Sequence, residues 1–305
     1  MNQSNINSKK SIIQNIKNFK IYLNERFPLG KNSIFVLIFT LSGYIYTGLL
    51  YNSKIINQIF SKEIKVPMPW HKIVALFIII FMFFFQLRIT DEFKDYEEDL
   101  KYRAYRPVQR GIISLKSLGK IGIATVIIQI MLAHVIDPEI IYFIIFVWIY
   151  MFLMAKEFFI KKWLTKRILI YALSHVVIMI FITLVIVSAT QYIVLDGAEN
   201  IFEFGALQWY RHNIDIALIP LFALNYLNGI VLEIGRKTRK ADEEEHGVQT
   251  YSKLWGRKKA VIVLSLLFII EYFLVILGLA HTYEKYFLFS GLVLLIILII
   301  SIYFM

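Results

Sequence analysis

Apolar residues in this chain come in long blocks separated by short charged segments, not at the mixed spacing of a water-soluble domain. Blocks near the length that crosses the hydrocarbon core as a helix, about 20 residues, fall at 34–52, 70–90, 117–134, 139–155, 167–190, 214–232, 258–280 and 284–304. They predict an all-α, polytopic integral-membrane bundle of about eight transmembrane helices. Ile136-Asp137-Pro138-Glu139 leaves room only for a tight turn, so the third and fourth helices form a hairpin. Residues 1–11 are polar and no cleavable leader is expected. After them Ile12, Ile16, Phe19, Leu23 and Phe27 recur every three or four residues, with Lys17, Lys20 and Arg26 between them. That spacing predicts an amphipathic helix, lying in the membrane interface or packed on cytoplasmic loops. No repeat and no Pro/Gly/Ser-rich linker divides the chain. The expectation is a cytoplasmic amphipathic segment, 1–33, followed by one membrane domain, 34–305.

Composition agrees: 58% of residues are hydrophobic and mean hydropathy is +0.63. The net charge of +11 would suit nucleic acid, but the basic residues sit between apolar blocks. Anionic lipid and topology explain them there, so the expected partner is the bilayer and no nucleic acid. The loops at 1–33, 88–120, 156–167 and 236–259, all on one side of the bilayer by alternation, carry 27 of the 33 Lys and Arg residues. The other side has six. This bias predicts both termini, and the 88–120 and 236–259 loops, in the cytoplasm. The absence of Cys excludes disulfides, thiolate nucleophiles and iron–sulfur sites.

The densest charge lies at the mouth of the second block. Asp91, Glu92, Asp95, Glu97, Glu98 and Asp99 fall within nine residues, and Arg103, Arg106 and Arg110 follow. Asp91, Asp95 and Asp99 are spaced i, i+4, i+8, so a helix continuing past Arg88 stacks them in one column. Like charges at that spacing repel. A column of carboxylates suits a hard cation such as Mg²⁺, which binds through one or two carboxylates and completes its shell with phosphate oxygens. Arginines beside it suit the phosphate itself. A solvated juxtamembrane helix of mixed charge is the alternative.

The wider string, DEFKDYEEDLKYRAYRPVQRGIIS, resembles the first signature of the UbiA superfamily of intramembrane prenyltransferases. That signature runs N-D-x-x-D-x-x-x-D, then a short basic segment, R-P and G-x-[IV]-S. Asp95 and Asp99 match its second and third aspartates, and Arg106-Pro107, Gly111 and Ser114 match in type and spacing. Glu92 stands at the first aspartate and Asp91 at the asparagine. The family has a second signature after its sixth span, D-x-x-x-D followed by G-x-x-T and a glycine six residues later. Here Gly247, Thr250 and Gly256 match, Glu233 stands for the first acid, and Lys237 occupies the place of the second. Asp242, Glu243, Glu244 and Glu245 follow Lys237. Either Glu233 and one of those acids hold a second metal, or Lys237 meets a phosphate directly. A plain i, i+4 ion pair of Glu233 and Lys237 is the third option.

Other positions have a bland reading beside the sharp one. Lys156 with Tyr150 is a loose echo of a Tyr-x-x-x-Lys element in related enzymes. Lys156, Glu157 and Trp163 also suit a membrane-surface anchor. His175 lies within the fifth block beside Ser174; it is a functional candidate or an interhelical hydrogen-bonding group. Asn225 and Asn228 would approach an acceptor or join helices. Phe81, Phe83, Phe84 and Phe85 cover every side of their helix, so none is assigned to carbocation stabilisation. Asp196 and Glu203 suit a solvated outer loop.

The resemblance implies helices around a central cavity, capped by the 88–116 and 233–257 loops, where family members usually have nine spans. It implies transfer of a prenyl group from a prenyl diphosphate to an aromatic or other small-molecule acceptor, with release of pyrophosphate. Asp91, Asp95, Asp99 and Glu233, with Asp242, are the expected catalytic and Mg²⁺-binding residues. Arg103, Arg106, Lys237, Asn225, Asn228 and Lys156 are the expected substrate contacts. The rival is a transporter or binding protein for a phosphorylated solute or lipid. It needs charge deep in several spans, and the apolar blocks are nearly free of it. Because the chain has no native Cys, topology is directly measurable: Asp95→Cys is expected to label from the cytoplasm and Asn200→Cys from the opposite side. Cytoplasmic labelling at 200 would overturn the orientation.

Overall fold

Among the described residues every regular element is helical. The computed structural model describes residues 3–59, 69–196, 216–244 and 249–280. The helices are α1 (Gln3–Arg26), α2 (Leu29–Ile59), α3 (Trp70–Lys94), α4 (Tyr96–Tyr102), α5 (Leu115–Ile136), α6 (Ile140–Ala155), α7 (Lys161–Leu164), α8 (Ile168–Val176), α9 (Ile178–Asp196), α10 (Ile219–Arg236), α11 (Tyr251–Trp255) and α12 (Arg257–Ala280). Among the described residues six stretches are long and apolar enough to cross a membrane: Leu29–Tyr51, Trp70–Lys94, Leu115–Ile136, Ile168–Val194, Ile216–Arg236 and Arg257–Gly278. Ile140–Ala155 is a shorter apolar helix. Seven of the expected blocks are therefore accounted for, and the eighth, 284–304, lies outside the described residues.

The lipid-facing pattern is what separates these helices from those of a soluble core. Ile123 and Ile127, then Tyr142, Phe146 and Ile149, then Ile262, Leu266, Ile269 and Phe273 are all exposed at helical spacing. Such apolar stripes are stable only where the surrounding solvent is hydrocarbon. Helix α9 lies inside, packed on α2, α6 and α10, with α3 paired to α5 and α10 to α12. Its Ile182, Val185, Ile186 and Ala189 are completely buried.

The N-terminal segment resolves in favour of protein packing. Phe19, Tyr22, Leu23 and Phe27 pack against Phe85, Ile89, Val108, Ile113 and Leu118, so α1 lies against the C-terminal part of α3 and the start of α5. Pro28 disfavours helix at Phe27 and suits the start of the next helix, which is why α1 stops and α2 begins at Leu29 rather than at 34.

Polar contacts identify the two ends of the bundle. At one end, Lys72 Nζ donates to the Ile136 carbonyl, 2.9 Å away, and the Tyr192 hydroxyl bonds to Glu139. At the other, Lys94 reaches Tyr171, whose ring also faces Lys237. The charged segments at 88–116, 156–168 and 233–257 thus share an end, as the alternation of loops predicts. Inside the bundle, Gln86 donates to Thr125 and Gln129, and Gln129 donates to the Ile79 carbonyl. These buried bonds satisfy groups that hydrocarbon would leave unpaired.

The fifth block is not one helix. It divides at Val177, where Ile180 N–H donates to the Val177 carbonyl. Gly229 of α10 abuts this junction: a Cβ there would lie 2.5 Å from Val176 Cγ1 and 3.0 Å from Met179 Cγ. Gly229→Ala is expected to lower the melting temperature of the purified protein, by an overpacking penalty of about 1–3 kcal/mol. Gly235→Ala, with nothing within 4 Å of its Cβ, serves as the tolerated control. Equal melting of the two variants would contradict the close approach of α10.

Candidate active site

The acidic column is interrupted in conformation but not in register. Helix α3 ends at Lys94, and Asp95 (φ −97°, ψ 7°) joins it to α4. Asp95 N–H donates to the Asp91 carbonyl (2.9 Å), Asp99 N–H to that of Asp95 (2.8 Å), and Arg103 N–H to that of Asp99 (2.8 Å). Asp91, Asp95 and Asp99 therefore still follow one another at single-turn intervals, yet their surroundings differ sharply.

Asp99 is fully buried. Its Oδ1 accepts from Arg103 Nη1 at 2.7 Å, and its Oδ2 accepts from Arg106. The sequence suggested Asp99 as a metal ligand and both arginines as phosphate contacts. Instead the three bind one another, because a buried carboxylate must be neutralised locally. They latch the 103–114 loop against the end of α4. Glu92, one residue on from Asp91 and so about 100° around the helix, is also fully buried. It accepts from Arg26 Nε at 2.7 Å and lies 3.4 Å from Arg88. The position of the family's first aspartate thus anchors α1 rather than facing the column.

Asp91 and Asp95 are the members left for a ligand. The Asp91 side chain is 39% exposed, with Arg88 at 4.0 Å and Lys94 at 3.9 Å. Asp95 is half-buried. Burial, together with the charges of Asp91, Asp99 and Glu98 and against that of Lys94, pushes its carboxyl from 3.8 up to about 6. Two carboxylates one turn apart, one of them raised by burial and then by its neighbours' negative charge, fit the one or two carboxylates through which Mg²⁺ binds beside phosphate. Among the described residues no three acidic or imidazole side chains converge on one point.

The second charged segment brings cations to the same place. Glu233, at the end of α10, pairs with Arg236 (2.5 Å) and Lys237 (2.6 Å). Lys237 Nζ lies 5.8 Å from the centre of the Tyr171 ring, and Lys94 Nζ lies 5.3 Å from the same centre. Arg236 is exposed, and near enough to Asp91 and Asp95 for their charges to act on it. Both oxygens of Glu233 are thus occupied by cations of its own segment. Asp242, the other acid assigned to a second metal, is exposed on the turn Ala241–Glu243. Glu244 accepts from Thr250 and Ser252, which keeps its carboxyl below the usual range, with the Ser252 bond the largest cause. Thr250 caps α11, and Tyr251 N–H donates to the Lys237 carbonyl, so this loop is tied back to the end of α10. Gly247 lies outside the described residues. Among the described residues the second motif therefore presents positive charge, and Glu245 lies outside them.

Four further side chains join the site: Lys94 and Tyr171, which the sequence did not single out, Glu157, which it read as part of a surface anchor, and His175, which it weighed as a functional candidate. Lys94 Nζ donates to the Tyr171 hydroxyl (2.7 Å) and lies 3.7 Å from Glu157, and the Tyr171 hydroxyl donates to Glu157 (3.2 Å). His175 Nε2 stands 3.5 Å from Glu157. Glu157 is only 5% exposed. It opens a turn in which Glu157, Phe158 and Phe159 all have positive φ, 50°, 52° and 61°. Three successive non-glycine residues in that region are strained, and the turn aims Glu157 inward while Lys156 is left exposed at the end of α6. Lys156 makes none of the contacts that join the two motifs. Asn225 is buried and donates to Thr183 at 3.0 Å, which makes it a link between α10 and α9. Asn228 is half-buried on α10. Glu271, inside α12, is buried with Oε1 unpartnered among the described residues, so the spans do hold an acidic side chain.

The sequence model of the UbiA prenyltransferase family matches residues 64–305. A solved apo structure of a UbiA homologue from Aeropyrum pernix K1 is 13% identical over 89% of this chain and 88% of its own, with a TM-score of 0.49. A structure from work on digeranylgeranylglyceryl phosphate synthase in membranes is 18% identical over 92% of this chain and 88% of its own, with a TM-score of 0.45. No curated protein matches the sequence.

The split between Asp95 and Asp99 is measurable. The folded chain holds the Asp95 proton more tightly than the unfolded chain, so without divalent cations its carboxylate destabilises the fold above about pH 6. That penalty disappears as pH falls toward the ordinary value of 3.8. Asp95→Asn is expected to raise the melting temperature at pH 7 and to have no effect near pH 4. Asp99→Asn is expected to lower it at pH 7, since stranding buried arginines costs about 3–5 kcal/mol. The same sign for both variants at pH 7 would contradict the division.

Proposed function

The chain belongs to the UbiA prenyltransferase family, and from that premise we propose that it transfers a prenyl group from a prenyl diphosphate to a small-molecule acceptor within the bilayer, releasing pyrophosphate. The observation that carries this reading is the meeting of two charged segments around Tyr171, with Lys94 and Lys237 both set against its ring. A diphosphate needs several cations at one place, and an allylic tail needs an apolar surface beside it. This end of the bundle offers Asp91 and Asp95 for a cation, with Lys237 and Arg236 opposite, at the mouth of apolar helices.

In this reading Asp91 and Asp95 are the residues that would hold Mg²⁺. When bound, Mg²⁺ supplies Lewis-acid stabilisation of the charge that gathers on the departing pyrophosphate. Lys237 and Arg236 hold the diphosphate from the second segment, in the region where other family members carry an acid. Their charge is fixed before the reaction starts, so it stabilises the leaving group without reorganisation. Lys94, held by Tyr171 and Glu157, sets the potential between the two segments. Asp99 with Arg103 and Arg106 keeps the covering loop closed over them. The site faces the cytoplasm with both termini, and the acceptor is an aromatic or other small molecule.

Asp95→Ala is expected to lower Mg²⁺-dependent pyrophosphate release from geranylgeranyl diphosphate by about 100-fold or more, the scale seen when a main electrostatic stabiliser is removed. Lys237→Ala is expected to weaken diphosphate binding and raise KM. Wild-type turnover by a folded Asp95→Ala protein would overturn the assignment.

A further inference from the structure

Helix α6 is short for the bilayer it stands in. Its 16 residues span about 24 Å at a rise of about 1.5 Å per residue, against about 30 Å of hydrocarbon. The chain that leaves it at the charged end of the bundle therefore emerges at the depth of the lipid boundary, and its residues suit that depth. Lys156, Lys161, Lys162, Lys166 and Arg167 are all exposed. The one acid among them, Glu157, is turned inward to Lys94 and Tyr171. None of the four lysines has a carboxylate partner among the described residues. Apolar side chains are interleaved with these charges. Phe159 is 70% exposed, and Ile160 and Trp163 are exposed as well. Phe159 lies 6.4 Å from Phe152, itself exposed on α6, and so continues the lipid-facing surface of that helix. Arg167 stacks over the Trp163 ring at 4.3 Å and donates to the Trp163 carbonyl at 3.1 Å. Tryptophan beside basic residues is what a headgroup layer selects, with lysine stems reaching outward from apolar ground. The strained turn Glu157–Phe159 also needs such a layer. Phe158 points inward, 5.6 Å from Tyr150 and 5.7 Å from His175. Phe159 points outward, and its exposure to water would add to the cost of three successive positive φ values.

We propose that residues 156–167 form a binding surface for anionic phospholipid, and that lipid bound there holds the Glu157 turn, and with it Lys94, where diphosphate binding needs it. The second half rests on the prenyl-transfer reading, and the first does not. Headgroup phosphates meet Lys161, Lys162, Lys166 and Arg167, while acyl chains cover Phe159 and Ile160. Each basic side chain near an anionic surface adds to the attraction, and the apolar side chains select a lipid over a soluble phosphate. The effect reaches the candidate site through the turn itself, because Lys94 Nζ lies 3.7 Å from Glu157 and the Tyr171 hydroxyl donates to the same carboxylate.

Native mass spectrometry of the full chain, equilibrated with equal phosphatidylglycerol and phosphatidylcholine of matched acyl chains, tests the surface. The wild type is expected to retain phosphatidylglycerol about tenfold or more over phosphatidylcholine. Lys161→Gln, Lys162→Gln and Lys166→Gln together are expected to remove most of that preference. Three exposed lysines changed elsewhere, Lys17→Gln, Lys20→Gln and Lys116→Gln, are expected to leave it in place. Equal loss in the two triple variants, displacement of the lipid by soluble glycerol phosphate, or a changed oligomeric state with unchanged lipid retention would overturn the surface. In nanodiscs, pyrophosphate release from geranylgeranyl diphosphate is expected to rise severalfold as phosphatidylglycerol replaces phosphatidylcholine. The rise is expected in the wild type and not in the variant that lacks Lys161, Lys162 and Lys166. A wild type equally active in both lipids would overturn the link to Lys94. Absence of release in either lipid would instead overturn the prenyl-transfer reading, and lipid retention would still decide the surface.

Discussion

A charge at the end of an apolar helix must be paired, hydrated or withdrawn, and Lys94 meets that constraint by pairing. Its ammonium is buried between the Tyr171 hydroxyl, Glu157 and Asp91. Those partners come from α3, the turn after α6, and α8. Lys237, at the end of α10, lies against the same Tyr171 ring. This end of the bundle is thus assembled around one ammonium and one tyrosine, and the two charged loops meet because they share these partners.

This arrangement sorts the acidic residues by environment rather than by position in a motif. Asp99 and Glu92 are sealed by arginines, and they fasten a loop and the N-terminal helix respectively. Asp91 and Asp95 keep unspent negative charge, which makes them suited to a cation that arrives with substrate. Glu233 is neutralised by Arg236 and Lys237, so the second segment contributes positive charge. The first motif therefore offers negative charge and the second positive charge to a ligand that itself combines a metal and a diphosphate.

Much of the architecture was legible in the sequence because the bilayer imposes simple rules. Block length predicted the spans, and the distribution of Lys and Arg predicted which loops share an end. The tight turn at Asp137-Pro138 and the helical character of 12–27 were equally readable. What sequence could not give was the destination of each charge. Asp95 and Asp99 look alike as symbols in a motif, but Arg103 and Arg106 fold back on only one of them. Asn225 was offered as an acceptor contact, and its amide is used by Thr183 instead. Lys156 drew notice while Glu157 does the packing, because three consecutive left-handed residues leave no trace in residue types. Tyr171 carried no signal at all, since its role depends on contacts from four separate segments.

The central claim is that the first and second charged segments hold one ligand between them. A double-mutant cycle across Asp95 and Lys237 tests it, with binding of the non-reactive analogue geranylgeranyl thiodiphosphate measured calorimetrically in the presence of Mg²⁺. If both residues act on the same diphosphate, Asp95→Ala and Lys237→Ala will couple by about 1 kcal/mol or more. Binding losses that add to within about 0.3–0.5 kcal/mol would mean that the two segments act separately, and would contradict the account.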